Sequence, residues 1–183
     1  MKIFKATMIA LVIFGLFSSY AWSQDMAEEK TMANISGRLG IGYNYGWIDE
    51  KDNNNLGNID LDLTHSINLT YGFTKMIALS IEGTYASNYD YDNEWYMAFA
   101  DLQLRFPKEK WVPYIFAGIG SQNKHGDKMF DRQSFTARAG LGVEYFLNKS
   151  WSLNLDGFWM PDIGDDTFEG WQVRGGVKYY FGS

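Results

Sequence analysis

The segment Gly170–Ser183, GWQVRGGVKYYFGS, decides how the rest of the chain is read. Trp171, Val173, Gly175, Val177, Tyr179 and Phe181 fall on one parity, and Gln172, Arg174, Gly176, Lys178 and Tyr180 on the other. Successive side chains of a strand point to opposite faces, so the segment is a strand with an apolar, aromatic-ended face and a polar, basic face. If that strand closes a sheet with one greasy and one polar side, every earlier strand must keep the same separation.

Working back through the chain, it does. From Asn34 the residues Ile35, Leu39, Ile41, Tyr43, Tyr45 and Trp47 oppose Ser36, Arg38, Gly40, Gly42, Asn44 and Gly46, a strand of about thirteen residues, long enough to cross a bilayer at a tilt. A second strand over about Ile59–Phe73 sets Leu61, Leu63, Ile67, Leu69 and Tyr71 against Asp60, Asp62, Thr64, Ser66, Asn68 and Thr70. His65 is the one residue that breaks its apolar parity, which requires that end of the strand to stand at or above the lipid interface. The third strand opposes Ile77, Leu79, Ile81 and Tyr85 to Ser80, Glu82 and Thr84. The fourth opposes Tyr96, Ala98, Ala100, Leu102, Leu104 and Phe106 to Met97, Phe99, Asp101, Gln103 and Arg105. The fifth, Trp111–Ser121, is apolar on both faces, with Ile115, Ala117 and Ile119 against Tyr114, Phe116, Gly118 and Gly120. The sixth opposes Phe135, Ala137, Ala139, Leu141, Val143 and Tyr145 to Thr136, Arg138, Gly140, Gly142 and Glu144, and the seventh opposes Trp151, Leu153, Leu155 and Trp159 to Ser152, Asn154, Asp156 and Phe158. Long polar connections (48–58, 86–93, 122–133, 161–169) alternate with short turns at Thr74-Lys75, 107–110 and Asn148-Lys149. The expected fold is all-β, an eight-stranded antiparallel up-and-down transmembrane β-barrel.

Residues 1–23 stand outside that pattern. Lys2 and Lys5, the apolar run Met8–Phe17 and the small-x-small Ala21-Trp22-Ser23 read as a secretory signal cleaved near Ser23. The run is too short for a membrane-spanning helix. Residues 24–33 read as a polar periplasmic lead and 34–183 as the barrel domain. The chain has no cysteine, so no disulfide framework exists. Removing the signal takes two of 16 basic residues, leaving 14 against 22 acidic and a formal charge of −8, which argues against a nucleic-acid partner.

Charge placement tells which environment the apolar face meets. Arg38, Asp60, Asp62, Glu82, Asp101, Arg105, Arg138, Glu144, Asp156, Arg174 and Lys178 all lie on polar parities and none on an apolar one. A lipid-facing Arg or Lys at the midplane costs about 2–4 kcal/mol, so a bilayer enforces this exclusion. A soluble lipocalin-like barrel is the inverted alternative, apolar inside around a ligand. Aromatics at strand ends (Trp47, Phe106, Tyr145, Trp151, Trp159, Trp171, Tyr179, Phe181) favour a membrane girdle. Glycines on the polar parity (Gly40, Gly42, Gly118, Gly120, Gly140, Gly142, Gly176) leave room for long side chains in a narrow lumen.

Four stretches carry a resemblance: PYIFAGIG at Pro113–Gly120, YGFTKMIALSIEGTY at Tyr71–Tyr85, AGLGVEYFLNKSWSLNLD at Ala139–Asp156, and GVKYYF at Gly176–Phe181. Through them the chain resembles the OmpA-like, OmpX/Ail-like or porin-family eight-stranded outer-membrane barrels. The resemblance implies residence in the bacterial outer membrane among lipid and lipopolysaccharide, insertion by the barrel-assembly machinery through the C-terminal strand, and a monomer. The peptidoglycan-binding domain that follows the barrel in full-length OmpA-like proteins does not appear in this sequence.

Function is less legible. The inward charges (Arg38, Asp62, Glu82, Asp101, Arg105, Arg138, Glu144, Asp156, Arg174, Lys178) read as ion pairs filling the lumen, or alternatively as a narrow porin-like path for small solutes. His65 and Ser66 face opposite ways and cannot form a nucleophile–base pair, so no catalytic residues are expected and a lipid A-modifying enzyme is a distant alternative. The segment Asp52–Gly57 looks like a calcium loop, but Leu56 and Leu63 occupy ligand positions, so no metal or cofactor is expected. The outer connections carry an acidic rim (Asp49, Glu50, Asp52; Asp90, Asp92, Glu94; Asp162, Asp165, Asp166, Glu169), offset by Lys124, Lys128 and Arg132. With Tyr89 and Tyr91 these are the candidate contacts for a surface partner, so the reading is a structural or cell-surface interaction protein serving envelope integrity or adhesion.

Overall fold

The computed structural model describes residues 32–50, 61–87, 94–125, 133–161 and 170–182. They form eight strands: β1 (Leu39–Glu50), β2 (Leu61–Gly72), β3 (Ile77–Ser87), β4 (Glu94–Arg105), β5 (Trp111–His125), β6 (Gln133–Phe146), β7 (Trp151–Met160) and β8 (Gly170–Tyr180). Each strand pairs antiparallel with its neighbours in sequence, and β8 returns to β1 through rungs such as Ile41↔Tyr179 and Gly46↔Arg174. The sheet is a closed barrel in the order β1 to β8. Closure removes the edges that would leave unpaired backbone groups in lipid. The expected signal, 1–23, nearly all of the lead, 24–33, and most of the long connections lie outside the described residues.

The short turns are made by side chains that replace missing backbone partners. Thr74 Oγ1 accepts from the N–H groups of Met76 (3.0 Å) and Ile77 (2.9 Å), and Asn148 Oδ1 accepts from Ser150 (2.8 Å) and Trp151 (2.9 Å). These local bonds turn the chain within one or two residues.

Burial decides which face is inside. The apolar parity is outward: Ile67, Ile81, Leu141 and Val173 are among the exposed large hydrophobics, while Glu82, Asp101, Arg138 and Asp156 are buried. The lipocalin-like arrangement is therefore reversed in this barrel. On β5 the ambiguity resolves with Tyr114 and Phe116 inward and Ile115 and Ile119 outward.

Several boundaries differ from the sequence expectation: residues 48–50, expected to open the first long connection, continue β1, with Ile48 paired to Asp62 and buried inside. Strand β1 starts at Leu39 rather than Asn34, and Ile35, expected outward, is fully buried with Ala33. The cause is Gly37, whose φ of +71° breaks the extended path, so the parity counted back from Leu39 does not carry across it. The preceding residues fold into the short-turn mouth: Gly37 N donates to Gly72 O at 2.7 Å, and Gly72 N donates to Arg38 O at 3.1 Å. The Ile35 carbonyl occupies the space a Cβ on Gly72 would need. This strap packs into an apolar layer with Ala78, Val112, Phe146 and Tyr180. The third long connection is also shorter than expected. Gln122 and Asn123 continue the β5–β6 ladder to Asn123↔Gln133, and Lys124 and His125 pair with β4, since a paired strand satisfies its backbone whether its side chains meet lipid or water.

Candidate functional site

The lumen holds two connected charge clusters. The first is centred on Arg138, whose Nε donates to Asp101 Oδ1 (2.9 Å), whose Nη2 reaches Asp101 Oδ2, and whose Nη1 reaches Glu82 Oε1 (2.7 Å). Arg174 shares the same Glu82 oxygen through Nη1 and donates from Nε to Asp156 Oδ1 at 2.6 Å. Four strands, β3, β4, β6 and β8, thus converge on one fork-and-carboxylate assembly, with Asp156 of β7 completing it. The second cluster lies nearer the short turns, where Arg105 Nη2 donates to Glu144 Oε2 at 2.7 Å. Tyr180 OH donates to the same oxygen at 3.2 Å, and Ser152 Oγ donates to Oε1. Tyr114 bridges the levels by donating its hydroxyl to Asp156 Oδ2 at 3.0 Å.

All eight ionised side chains of these clusters are buried: Arg105, Arg138, Arg174 and Lys178 against Glu82, Asp101, Glu144 and Asp156. Charge is therefore balanced within the described interior, as burial demands. Lys178 sits with its ammonium 5.7 Å from the Tyr114 ring centre. Two residues assigned to the lumen set stand differently. Arg38 is half-buried at the short-turn rim, donating to the carbonyls of Tyr180 (3.0 Å) and Phe181 (3.4 Å) rather than to a carboxylate. The Asp62 side chain and all of Asp60 lie outside the described residues.

Rings that the alternation put on the inward parity fill much of the interior. Phe99, Phe116 and Phe158 point inward, and the Arg138 guanidinium lies 4.0 Å from the Phe99 ring centre and 4.7 Å from that of Phe158. Arg174 lies 4.9 Å from Phe158. Stacking on rings suits a planar guanidinium that has few waters to lose. Above this level Ile48, Ala86, Trp95, Met97 and Met160 close the interior with a second apolar layer. A cross-strand signal marks where these three rings fit, because each faces a glycine: Phe99↔Gly120, Phe116↔Gly140 and Gly140↔Phe158. A Cβ on Gly140 would lie 2.5 Å from Phe158 Cβ and 2.8 Å from Phe116 Cζ. The glycines make room for rings at least as much as for charges.

One small space lies among the described interior side chains. A cavity of about 10 Å³, lined by Asn44, Asn68, Glu82, Asp101, Tyr114 and Lys178 among others, is about large enough for one water molecule. Asn68 Nδ2, on its lining, has no protein hydrogen-bond partner among the described residues, so a single water would find a donor there.

On the outside, Trp47, Trp151, Trp159, Trp171 and Phe181 are exposed and Phe106, Tyr145 and Tyr179 half-exposed. Several pair across strands: Trp151–Tyr179 with centroids 4.9 Å apart at the short-turn end, Trp159–Trp171 at 6.3 Å at the other. His65, the exception on β2, is exposed, with Nδ1 2.7 Å from Tyr43 OH and its ring edge-on to Tyr45 at 5.1 Å. Glu94, read as part of an acidic loop rim, begins β4 and accepts hydroxyls from Tyr85 (3.0 Å) and Tyr96 (3.1 Å). The other rim candidates fall outside the described side chains. No cluster of three or more His, Cys, Asp or Glu suited to a metal ion occurs among the described residues.

Three solved structures share this architecture. Neisserial surface protein A (NspA) superposes with a TM-score of 0.67 at 15% identity, covering 78% of this chain and 97% of its own. OprG, an outer membrane protein of Pseudomonas aeruginosa, gives 0.63 at 13% identity, covering 84% and 100%. Ail, the attachment invasion locus protein of Yersinia pestis, gives 0.56 at 14%, covering 80% and 100%. None of the curated proteins matches. At these identities the likeness is one of fold. The sequence itself matches the outer membrane protein beta-barrel domain over residues 9–181. The closed sheet with its apolar face outward and its charges inward agrees with that match, and the chain belongs to the outer membrane protein beta-barrel domain family.

Proposed function

We propose that this outer-membrane barrel is a non-conducting scaffold that acts at the cell surface, through what its outward connections touch, in envelope integrity or adhesion. The observation that supports this most is the packing of the described lumen: two charge clusters, stacked rings and an apolar layer at each end, with a cavity of about one water's volume among the charged side chains. A path for solutes would need the Arg138 and Arg174 forks to release their carboxylates together, in an interior too dry to solvate them. The porin-like alternative has no comparable support. We also read the chain as non-catalytic, because His65 engages Tyr43 while its neighbour Ser66 is buried on the other face.

The long connections mark the outer side and the short turns the periplasmic side. On that orientation, the strands that flank the third long connection, β5 of 15 residues and β6 of 14, are the longest of the barrel, and Lys128 and Arg132 lie in the sequence between them. NspA is a neisserial surface protein and Ail an attachment invasion locus protein, which is consistent with this use of the scaffold. Export with cleavage near Ser23, insertion by the barrel-assembly machinery through β8, and a monomeric state complete the proposal. Cells expressing the full protein are expected to adhere to an epithelial monolayer more than empty-vector cells, and replacing 126–132 by Asn-Gly is expected to remove most of that gain. Full retention of adhesion after shortening each of the four long connections in turn would overturn the surface reading.

A further inference from the structure

The residues just before β1 are organised more tightly than a lead into a strand requires. The Arg38 N–H donates back to the Ile35 carbonyl at 3.0 Å, and the Ser36 N–H donates to Asn34 Oδ1 at 3.0 Å, so the strap over 33–38 is a closed turn and not an extended tail. Gly37, at φ +71°, supplies the reversal, a conformation that costs a glycine little. The turn is pinned to the end of β2, where Ser36 bridges Gly72 in parallel and Gly37 N donates to Gly72 O. Its two apolar side chains, Ala33 and Ile35, are fully buried, in one cluster with Ala78 of β3, Val112 of β5, Phe146 of β6 and Tyr180 of β8.

The same strap reaches the last strand. Arg38 donates from Nη2 to the Tyr180 carbonyl (3.0 Å) and from Nε to that of Phe181 (3.4 Å), while Phe181 N donates to Leu39 O at 2.8 Å. These contacts stand at one end of the β1–β8 ladder, the pairing that closes the sheet between the first and last strands. The bonds to Gly72 join consecutive strands and need only β1 and β2. The apolar cup needs the whole barrel, because Tyr180 forms one wall of it, with its ring stacked on Phe146 at 5.6 Å. Contacts that require the two ends of the chain to meet carry the largest loop-closure cost and come late in folding.

We propose that residues 33–38 are a latch, a plug that seats in the short-turn mouth only after β8 has paired with β1 and then holds that seam shut. A contact made after the folding transition state slows unfolding and leaves the folding rate alone, so the latch acts on how long the closed barrel lasts. Gly72 is its seat: the Ile35 carbonyl occupies the place that a Cβ on this residue would take, so any side chain there displaces the plug. Arg38 is the bolt, drawn across the seam onto two carbonyls at the end of β8.

The test is the rate of unfolding after a jump into urea, and of refolding out of it, for the protein in detergent micelles, with heat-modifiable gel migration counting folded molecules. Gly72→Ala fills the seat and leaves the strap unaltered; Ile35→Asp sets a carboxylate in the apolar cup. Each is expected to unfold at least about tenfold faster, the scale of returning one isoleucine to water, and to refold at the wild-type rate. Arg38→Met keeps the plug but removes its two donors to β8, and a smaller acceleration is expected. Amide exchange locates the effect: in Gly72→Ala the Gly37 and Phe181 amides are expected to lose protection while those of the β4–β5 ladder keep it. An unfolding rate unchanged in both Gly72→Ala and Ile35→Asp would overturn the latch. Slowed refolding, or failure of both variants to fold, would place the strap early on the folding route and overturn it too, as would protection lost equally around the barrel. Conductance and adhesion are read separately, so failure here leaves the scaffold reading standing.

Discussion

Arg138→Ala is expected to lower the barrel's resistance to urea unfolding by about 3–5 kcal/mol, the usual cost of leaving a buried charge without its partner. Asp101 depends on this arginine twice, through Nε and Nη2, and is itself buried. Glu82 keeps Arg174 when Arg138 goes; Asp101 has no second cation bonded to it among the described residues. The loss also removes the guanidinium between the rings of Phe99 and Phe158. A double replacement separates the two contributions. Arg138→Met with Asp101→Asn removes both charges while keeping bulk, and it is expected to recover most of the loss, since a buried pair can often be exchanged for neutral side chains at little cost. Unfolding midpoints would be read by heat-modifiable gel migration across a urea series. An unchanged midpoint for Arg138→Ala would mean that water reaches Asp101, and that the lumen is more open than its packing indicates.

The second large effect is on the opposite face. Ile81 is 57% exposed, lies midway along β3, and pairs with Leu69 and Ala100, both lipid-facing. Ile81→Arg is expected to cost about 2–4 kcal/mol of folding stability in liposomes, because a guanidinium there meets the bilayer midplane. Ser87→Arg, at the outer end of the same strand and on the same face, is expected to cost only about 0–1 kcal/mol. The difference between two identical insertions reports depth in the membrane rather than damage to the strand. Equal, small effects would place the Ile81 face in water.

These residues also show why parts of the molecule could be read from sequence and others could not. Period-two alternation located all eight strands and sorted Ile81 from Glu82, because a strand between lipid and a narrow lumen obeys the rule at almost every position. Alternation says where a side chain points and nothing about what it meets across the barrel. Arg138 and Asp101 are 37 residues apart, on strands that are not neighbours, and are joined only by closure of the sheet. Parity placed the inward phenylalanines on the same face as the charges, but only the register shows Phe99, Phe116 and Phe158 each opposite a glycine. At the N-terminus the rule failed outright, since Gly37 turns the chain and sends Ile35 into the mouth of the barrel. The end of β5 failed in the other direction, because polar side chains from Gln122 onward resemble a loop although their backbones stay paired.

The most direct test of the central claim, that this barrel's interior is filled by its own ion pairs and rings, is single-channel conductance of the refolded protein in a planar bilayer, with gel migration establishing that it is folded. The account predicts a silent bilayer, with discrete openings arising only when Arg138 and Arg174 are both shortened to alanine. Steady openings from the unaltered, folded protein would contradict it and restore the path for small solutes.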